Sequence, residues 1–262
     1  VVVVVAGLPY KCPAAPYEAA LLLDDELRRR GLRDASTVEV FSPEPAPMPV
    51  AGPVMGRAVI GLMEGKGIRF HPGSKVERIE AGDQEVVFAD GSRAGFDLLA
   101  GIAPHRAPAV VASSGLASEQ GWIAVDRGTL ETTLPGLFAI GDVTTITLAN
   151  GKPLPRAGVF AHGQALTVAR TIAARFAGTP PPPPFAGIGH CWVETGGGAA
   201  AFAAGDFFAD PDPTIALHRP GRVLHLGKVV FERSWVGGGL ERRLAQALLA
   251  VGSRGLGVHL DA

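Results

Sequence analysis

A chain of 262 residues that is 47% hydrophobic can bury one large or two modest domains, which excludes a disulfide-stapled miniprotein or a disordered tail. A formal charge of −1, with no Lys/Arg cluster interleaved with aromatics, argues against a nucleic-acid binder. The two cysteines form neither a disulfide framework nor a zinc-ligand spacing, and the seven histidines make no HxxxH or HExxH pattern, so metal catalysis has no support.

In chain order, residues 1–6 (VVVVVA) read as a strand without polar alternation, the pattern of a strand buried on both faces. Apolar residues recurring at Ala19, Leu22, Leu23 and Leu27 predict a helix from Ala15 to Arg30, with Gly31 closing it. Val38–Phe41 is a second strand, which completes a βαβ unit. The proline-rich loop Pro43–Pro53 follows, then a helix over Val54–Lys66. Ile68–His71, Lys75–Glu80 and Glu85–Phe88 read as strands, and Asp90-Gly91 as a hairpin turn leading into Phe96–Ile102. After a loop and helix through HRAPAVVASSGL and a short strand near Trp122–Val125, TLPGLFAIGD predicts a buried strand ending in an acidic turn. GVFAHGQALTVARTIAARFAG predicts a long helix. TPPPPPF is a stiff connector to β-like pieces at HCWVET, AAAFAA, TIALHR and VVFERSW, and the chain closes with a predicted amphipathic helix over GGGLERRLAQALLAVGSRG.

These elements define an α/β protein: a Rossmann-like, FAD/NAD(P)-type dinucleotide-binding fold with a C-terminal α+β domain. No apolar run approaches the roughly 18–20 residues that span a bilayer, and no signal peptide is evident, so the expected location is cytoplasmic. Because Val1 already lies inside a core strand, an N-terminal portion of the parent protein is expected to be absent.

Cys12 carries the sharpest chemistry. It sits among Pro9, Pro13 and Pro16 where a helix is about to begin, and helix-terminal N–H groups favour a thiolate, so its pKa is expected to fall. The same loop opposes ordinary NAD(P)H binding. After Gly7, Pro9 and Cys12 stand where a G-x-G-x-x-G turn would need glycines for the pyrophosphate to approach. At Gly141-Asp142 a carboxylate can accept hydrogen bonds from ribityl or ribose hydroxyls, and Gly141 permits close approach. Gly158 and Val159 open the long helix, whose amides could stabilise a reduced flavin ring, and Arg156 adds a positive charge. Glu18 could relay protons near Cys12. Cys191 is the one other cysteine, and His162 and His190 are further titratable groups without a spacing argument.

With KCPAAPYE, TLPGLFAIGD, PLPRAGVFAHGQA, HRAPAVVASSGL, HCW and FERSW in this order, the sequence resembles the sulfide:quinone oxidoreductase and flavocytochrome c sulfide dehydrogenase flavoprotein family of the pyridine nucleotide-disulfide oxidoreductase superfamily. The resemblance implies an FAD enzyme in which Cys12 and Cys191 handle sulfide-derived sulfur beside the flavin. Electrons then pass to quinone or to a haem partner. It implies Asp142 as the FAD-binding aspartate and Gly158-Val159 as the helix start near the flavin, with Arg156 standing where lysine is usual. It divides the chain into 1–103, an NAD-type domain with a degenerate glycine loop; 104–179, the returning part of an FAD-binding domain that lacks its N-terminal segment; and 180–262, a C-terminal domain. The terminal helix, with Leu240, Leu244, Leu248 and Val251 opposite Arg242 and Arg243, fits either a monotopic contact with the inner face of a membrane or packing on the core. Homo-oligomerisation stays open. The alternatives are a type II NADH:quinone dehydrogenase-like flavoprotein and a non-catalytic, partner-binding fragment.

Overall fold

The computed structural model describes residues 1–255, so the last seven residues of the expected C-terminal domain lie outside it. Its centre is a four-stranded parallel sheet, in the order β3-β2-β1-β7, built from β1 (Val2–Val5), β2 (Glu39–Phe41), β3 (Arg69–His71) and β7 (Leu99–Ile102). The valine run makes sense at once, because β1 is covered on both faces. Val3 packs with Tyr17, Leu21, Met55 and Val59 of helices α1 (Ala15–Arg29) and α2 (Gly52–Glu64), while Val2 and Val4 pack with Val86 and Phe88. Those last two belong to an antiparallel meander of β4 (Val76–Glu80), β5 (Glu85–Phe88) and β6 (Arg93–Gly95). Burying each β1 valine stabilises the fold by roughly 1.5–3 kcal/mol.

Beyond the sheet come α3 (Ala109–Ser113), the two-residue strands β8 (Ile123–Ala124) and β9 (Thr144–Thr145), and the long helix α4 (Gly158–Ala177). A second antiparallel sheet, β10 (Ile188–Gly196), β11 (Ala199–Asp206) and β12 (Thr214–Gly221), lays Val193, Ala201 and Ala203 against α1. Its other face holds Trp192 and Phe202 under Phe231 of α5 (Arg222–Val236), and α6 (Gly239–Gly255) packs on α5.

Three expectations are corrected. The hairpin at Asp90-Gly91 returns through the short β6, and the run expected from Phe96 joins the parallel sheet only at Leu99. TLPGLFAIGD is not a buried strand: it makes one isolated bridge, Glu131 to Phe138, then a 3-10 turn over Gly141–Val143, and Leu134, Leu137 and Ile140 face solvent. An apolar run becomes a strand only where a neighbour pairs its backbone groups, and among the described residues that bridge is its sole ladder contact. VVFERSW is helical, because Leu224 and Phe231, two turns apart, bury against Trp192 and Phe202. That packing overrides the β-propensity of Val229 and Val230. On α6, Ala245 and Leu249 are buried while Leu240, Leu244, Leu248 and Val251 are exposed, so this leucine row does not pack on the core.

Asp24 of α1 is fully buried and surrounded by Arg28, Arg33 and Lys66. Burial alone would raise its pKa, but the hydrogen bonds from Arg28 and Arg33 and the charges of Arg28 and Lys66 outweigh it and hold the carboxyl below its ordinary value. The stabilisation is therefore complete above the ordinary carboxylate pKa and disappears as pH falls through the folded one. Asp24→Asn is expected to cost about 3 kcal/mol at neutral pH, a difference that shrinks towards zero in strong acid. Urea denaturation at the two pH values checks this, and equal midpoints at neutral pH would contradict it.

Candidate functional site

Cys12 lies in the loop between β1 and α1, with a left-handed backbone (φ 58°) that an L-residue adopts at a cost of about 1–2 kcal/mol. Two hydrogen bonds hold it there. Its N–H donates to the Arg156 carbonyl (2.9 Å), and its own carbonyl accepts from the Ala15 amide (2.9 Å). The first bond ties the cysteine loop to the segment that launches α4. Cys191, on β10 opposite Ala203, arrives from the other sheet.

The fold brings the two together: both are free thiols lining one cavity of about 60 Å³, walled by Met55, Val159, Phe160 and Phe207 among others. Gly189 completes that wall because a Cβ there would stand 2.4 Å from the Phe160 ring. On one side the cavity shares Cys12, Val159 and Cys191 with an open cleft of about 420 Å³ that continues along His162, Lys228 and Trp235. On another it shares Pro13, Val50 and Pro155 with a proline-walled cleft of about 480 Å³.

The expected lowering of the Cys12 pKa is overturned. Burial pushes the thiol up and the negative charge of Glu18 adds to it; the Ala15 and Ala14 amides and Lys11 pull the other way and lose. The helix-terminal amides are thus present, but desolvation exceeds them. Cys191 is pushed up to about 12 by burial, with the nearby Cys12 and Glu18 adding and Lys228 opposing.

Glu18 is not free to swing. Its Oε1 accepts from Lys228 Nζ (3.1 Å) and from the Glu194 amide (3.2 Å). Lys228 also reaches Glu194 at 3.5 Å and Glu232 at 3.7 Å, and the Glu194 carboxylate pairs with His225 Nδ1 at 3.0 Å. Burial works against the charge of Lys228, but Glu18, Glu194 and Glu232 outweigh it and hold its pKa above the ordinary value. Sequence reading missed Lys228, Glu194 and His225. The Lys228/Glu232 spacing of four is a helical signal, hidden because this stretch reads as a strand.

Asp142, Arg156 and the α4 terminus form an adjoining group. Gly141 adopts φ 73°, and its amide donates to Gln164 Oε1 at 2.6 Å. Asp142 is partly exposed, with Lys11 Nζ at 3.7 Å from its carboxylate. The Arg156 guanidinium donates to the Asp142 carbonyl (3.0 Å) and lies 3.8 Å over the Trp122 ring. Helix α4 begins at Gly158 with Ala157 as its N-cap and no side-chain cap, so its first amides have no side-chain acceptor, and Gly158 and Val159 line the 420 Å³ cleft. Trp192 lines the same cleft, and its Nε1 is buried without a hydrogen-bond partner among the described residues. His162 sits there against Trp235, its ring 4.8 Å away, and His190 packs edge-on against Trp192 and Phe231.

This arrangement, a parallel sheet whose first loop presents a thiol beside an uncapped helix, is that of a dinucleotide-fold redox protein. The model of the pyridine nucleotide-disulphide oxidoreductase family matches residues 18–165, and the chain belongs to that family. The match takes in Glu18, Gly141, Asp142, Arg156, Gly158 and Val159 but neither cysteine. Among curated proteins, the chain is 23% identical over 219 residues to a mitochondrial sulfide:quinone oxidoreductase of Mus musculus, covering 79% of this chain and 46% of the relative. It is 28% identical over 140 residues to that of Schizosaccharomyces pombe, covering 50% of this chain and 30% of the relative. Among solved structures, the sulfide:quinone oxidoreductase of Aquifex aeolicus superposes with a TM-score of 0.78 at 23% identity, over 98% of this chain and 63% of the other. The chain therefore spans less than half the length of these curated relatives. No helix among the described residues is long and apolar enough to cross a membrane.

The Glu18 charge that raises the Cys12 pKa gives a direct test. Glu18→Gln is expected to speed alkylation of Cys12 by iodoacetamide several-fold at mildly alkaline pH, because the thiolate fraction rises. A slower or unchanged rate in the variant would show that the Glu18 charge does not act on this sulfur.

Proposed function

We propose that the protein is an FAD-dependent oxidoreductase that oxidises sulfide through Cys12 and Cys191 and passes the electrons to a quinone. The observation that carries this reading is that the chain's two cysteines, far apart in sequence, one in the loop after β1 and the other on β10, line one small cavity. The residues around the 420 Å³ cleft suit the ring and ribityl end of FAD. They include the uncapped amides at Gly158 and Val159, and the Asp142 carboxylate stands in the adjoining small pocket with Gly141, Arg156 and Ala157. When bound there, FAD would supply two-electron chemistry between the thiol pair and the acceptor.

The side chains divide the sulfur chemistry between the two cysteines. In the oxidised pair, hydrosulfide attacks the Cys191 sulfur; the Cys12–Cys191 S–S bond breaks, its electron pair stays on Cys12, and Cys191 becomes a persulfide. Cys12 suits the leaving role because the Ala14 and Ala15 amides stabilise its thiolate, whereas Cys191 is the more strongly raised thiol. The raised pKa of both groups disfavours the dithiolate, so the reduced pair is held as thiols and is a poor nucleophile. Lys228, held by Glu18 and Glu194, places a positive charge beside the pair and links it to His225, a proton route that opens on the partly exposed imidazole.

The domain division at about residues 103 and 179 follows from the same reading. Residues 1–103 form the NAD-type unit, 104–179 the returning part of the FAD-binding domain, and 180–262 the C-terminal domain that carries Cys191. The exposed row of Leu240, Leu244, Leu248 and Val251 supports a peripheral contact with a membrane surface, where a quinone would be met. An NADH dehydrogenase reading is weaker. Pro9 and Cys12 occupy the turn that would cradle a pyrophosphate, and the Cys12 amide is already spent on Arg156.

The test is sulfide-dependent bleaching of flavin absorbance in the full-length protein. Wild type is expected to bleach and Cys12→Ser to lose the response while still binding flavin. Bleaching by NADH but not by sulfide would transfer the assignment to the dehydrogenase class.

A further inference from the structure

The thiol cavity lies between two clefts that have no lining residue in common, and the proposed function uses only one of them. The second, of about 480 Å³, runs between the loops that follow β1 and β2 and the segment 152–156. Its walls are largely apolar: Leu8, Pro9, Pro43, Pro49, Val50 and Leu154 among them. Proline walls are stiff and offer no N–H donors, so the passage has little to hold an anion except through its charged side chains. Two of these are cations already engaged. Lys152 Nζ donates to the Pro49 carbonyl at 2.6 Å, and Arg156 is held by Asp142 and Trp122. The third is Glu44, whose Oε2 accepts a hydrogen bond from the Tyr10 hydroxyl at 2.8 Å. The same hydroxyl lies 3.5 Å from the carbonyl of Pro13, a residue shared with the thiol cavity, so the Tyr10–Glu44 unit adjoins the wall that the two spaces have in common.

We infer that this proline-walled cleft is the entrance by which a small neutral thiol or hydrogen sulfide reaches Cys12 and Cys191, and that Glu44, oriented by Tyr10, accepts the S–H proton on the way. The identity of sulfide as substrate rests on the reading above; the route does not. The step is a proton transfer and leaves oxidation states unchanged: the S–H bond breaks, the carboxylate becomes a carboxyl, and the sulfur goes on to the S–S bond as the anion. Burial raises the pKa of Glu44, with the Tyr10 hydrogen bond and the Lys152 charge pulling it back, and a raised carboxylate is the better base. Facing it are Tyr10 from the β1 loop, Tyr17 from α1, and Lys152 and Arg156 from the segment before α4. Tyr10 is a positioning residue.

Two measurements on the full-length protein test this without relying on sulfide turnover. In the first, Cys12 of the reduced protein is alkylated with iodoacetamide in wild type, Pro45→Trp and Leu8→Trp, both substitutions being on exposed residues at the cleft. Each plug is expected to slow alkylation about tenfold, a barrier increase of about 1.4 kcal/mol. Unchanged rates in both would overturn the route. In the second, the oxidised pair is reduced by β-mercaptoethanol across a pH series in wild type and Glu44→Gln. The variant should lag about tenfold below neutrality and converge with wild type once the reagent ionises unaided. Superimposable profiles would overturn the role of Glu44. Slowing by the plugs without any sulfide-dependent bleaching would leave the entrance standing and remove sulfide as its substrate.

Discussion

A single backbone hydrogen bond, from the Cys12 amide to the Arg156 carbonyl, organises the site. It fixes a residue in a left-handed conformation at the exit from the most deeply buried strand and fastens that residue to the segment from which α4 departs. Everything around the thiols follows from that junction. Val159 and Phe160 reach the cavity because α4 starts beside Cys12, and the proline-walled cleft is separated from the one along His162 and Lys228 by the same meeting of loops. The strained backbone is tolerated because β1, sealed by α1 and α2 on one face and by the β4–β6 meander on the other, cannot relax around it.

Electrostatics at the thiols is a contest that burial wins. The amides at the start of α1 do what a helix terminus should, yet desolvation and the Glu18 carboxylate carry both sulfurs upward. A pair of protonated thiols is a poor nucleophile, and the proposed function accordingly has an external sulfur attack the pair in its oxidised, S–S-bonded form. Lys228 is the counterweight. Held by Glu18, Glu194 and Glu232, it keeps its positive charge beside the pair.

How much of this could be read in the chain depends on whether a feature is local. The VVVVV run announced a strand buried on both faces, and the α1 periodicity was plain, because each reports its own burial pattern. TLPGLFAIGD and VVFERSW misled, since what decides them is a neighbour: a missing ladder partner in one, the Trp192–Phe202 surface in the other. Cys12 drew attention through its prolines, but its left-handed φ and its desolvation are tertiary facts, and they reversed the expected pKa. Glu194 and Glu44 carried no signal of their own, and Lys228 only a helical spacing to Glu232 hidden in a strand-like stretch, because each acquires its meaning from groups that only folding brings near.

The central claim is that Cys12 and Cys191 act as one sulfur-handling unit. Peptide mapping by mass spectrometry, after mild oxidation of the protein in the presence of sulfide and blocking of remaining thiols, addresses it most directly. The account predicts a linked species joining the two cysteines, directly or through added sulfur atoms. Recovery of both as separately blocked thiols under those conditions would contradict it.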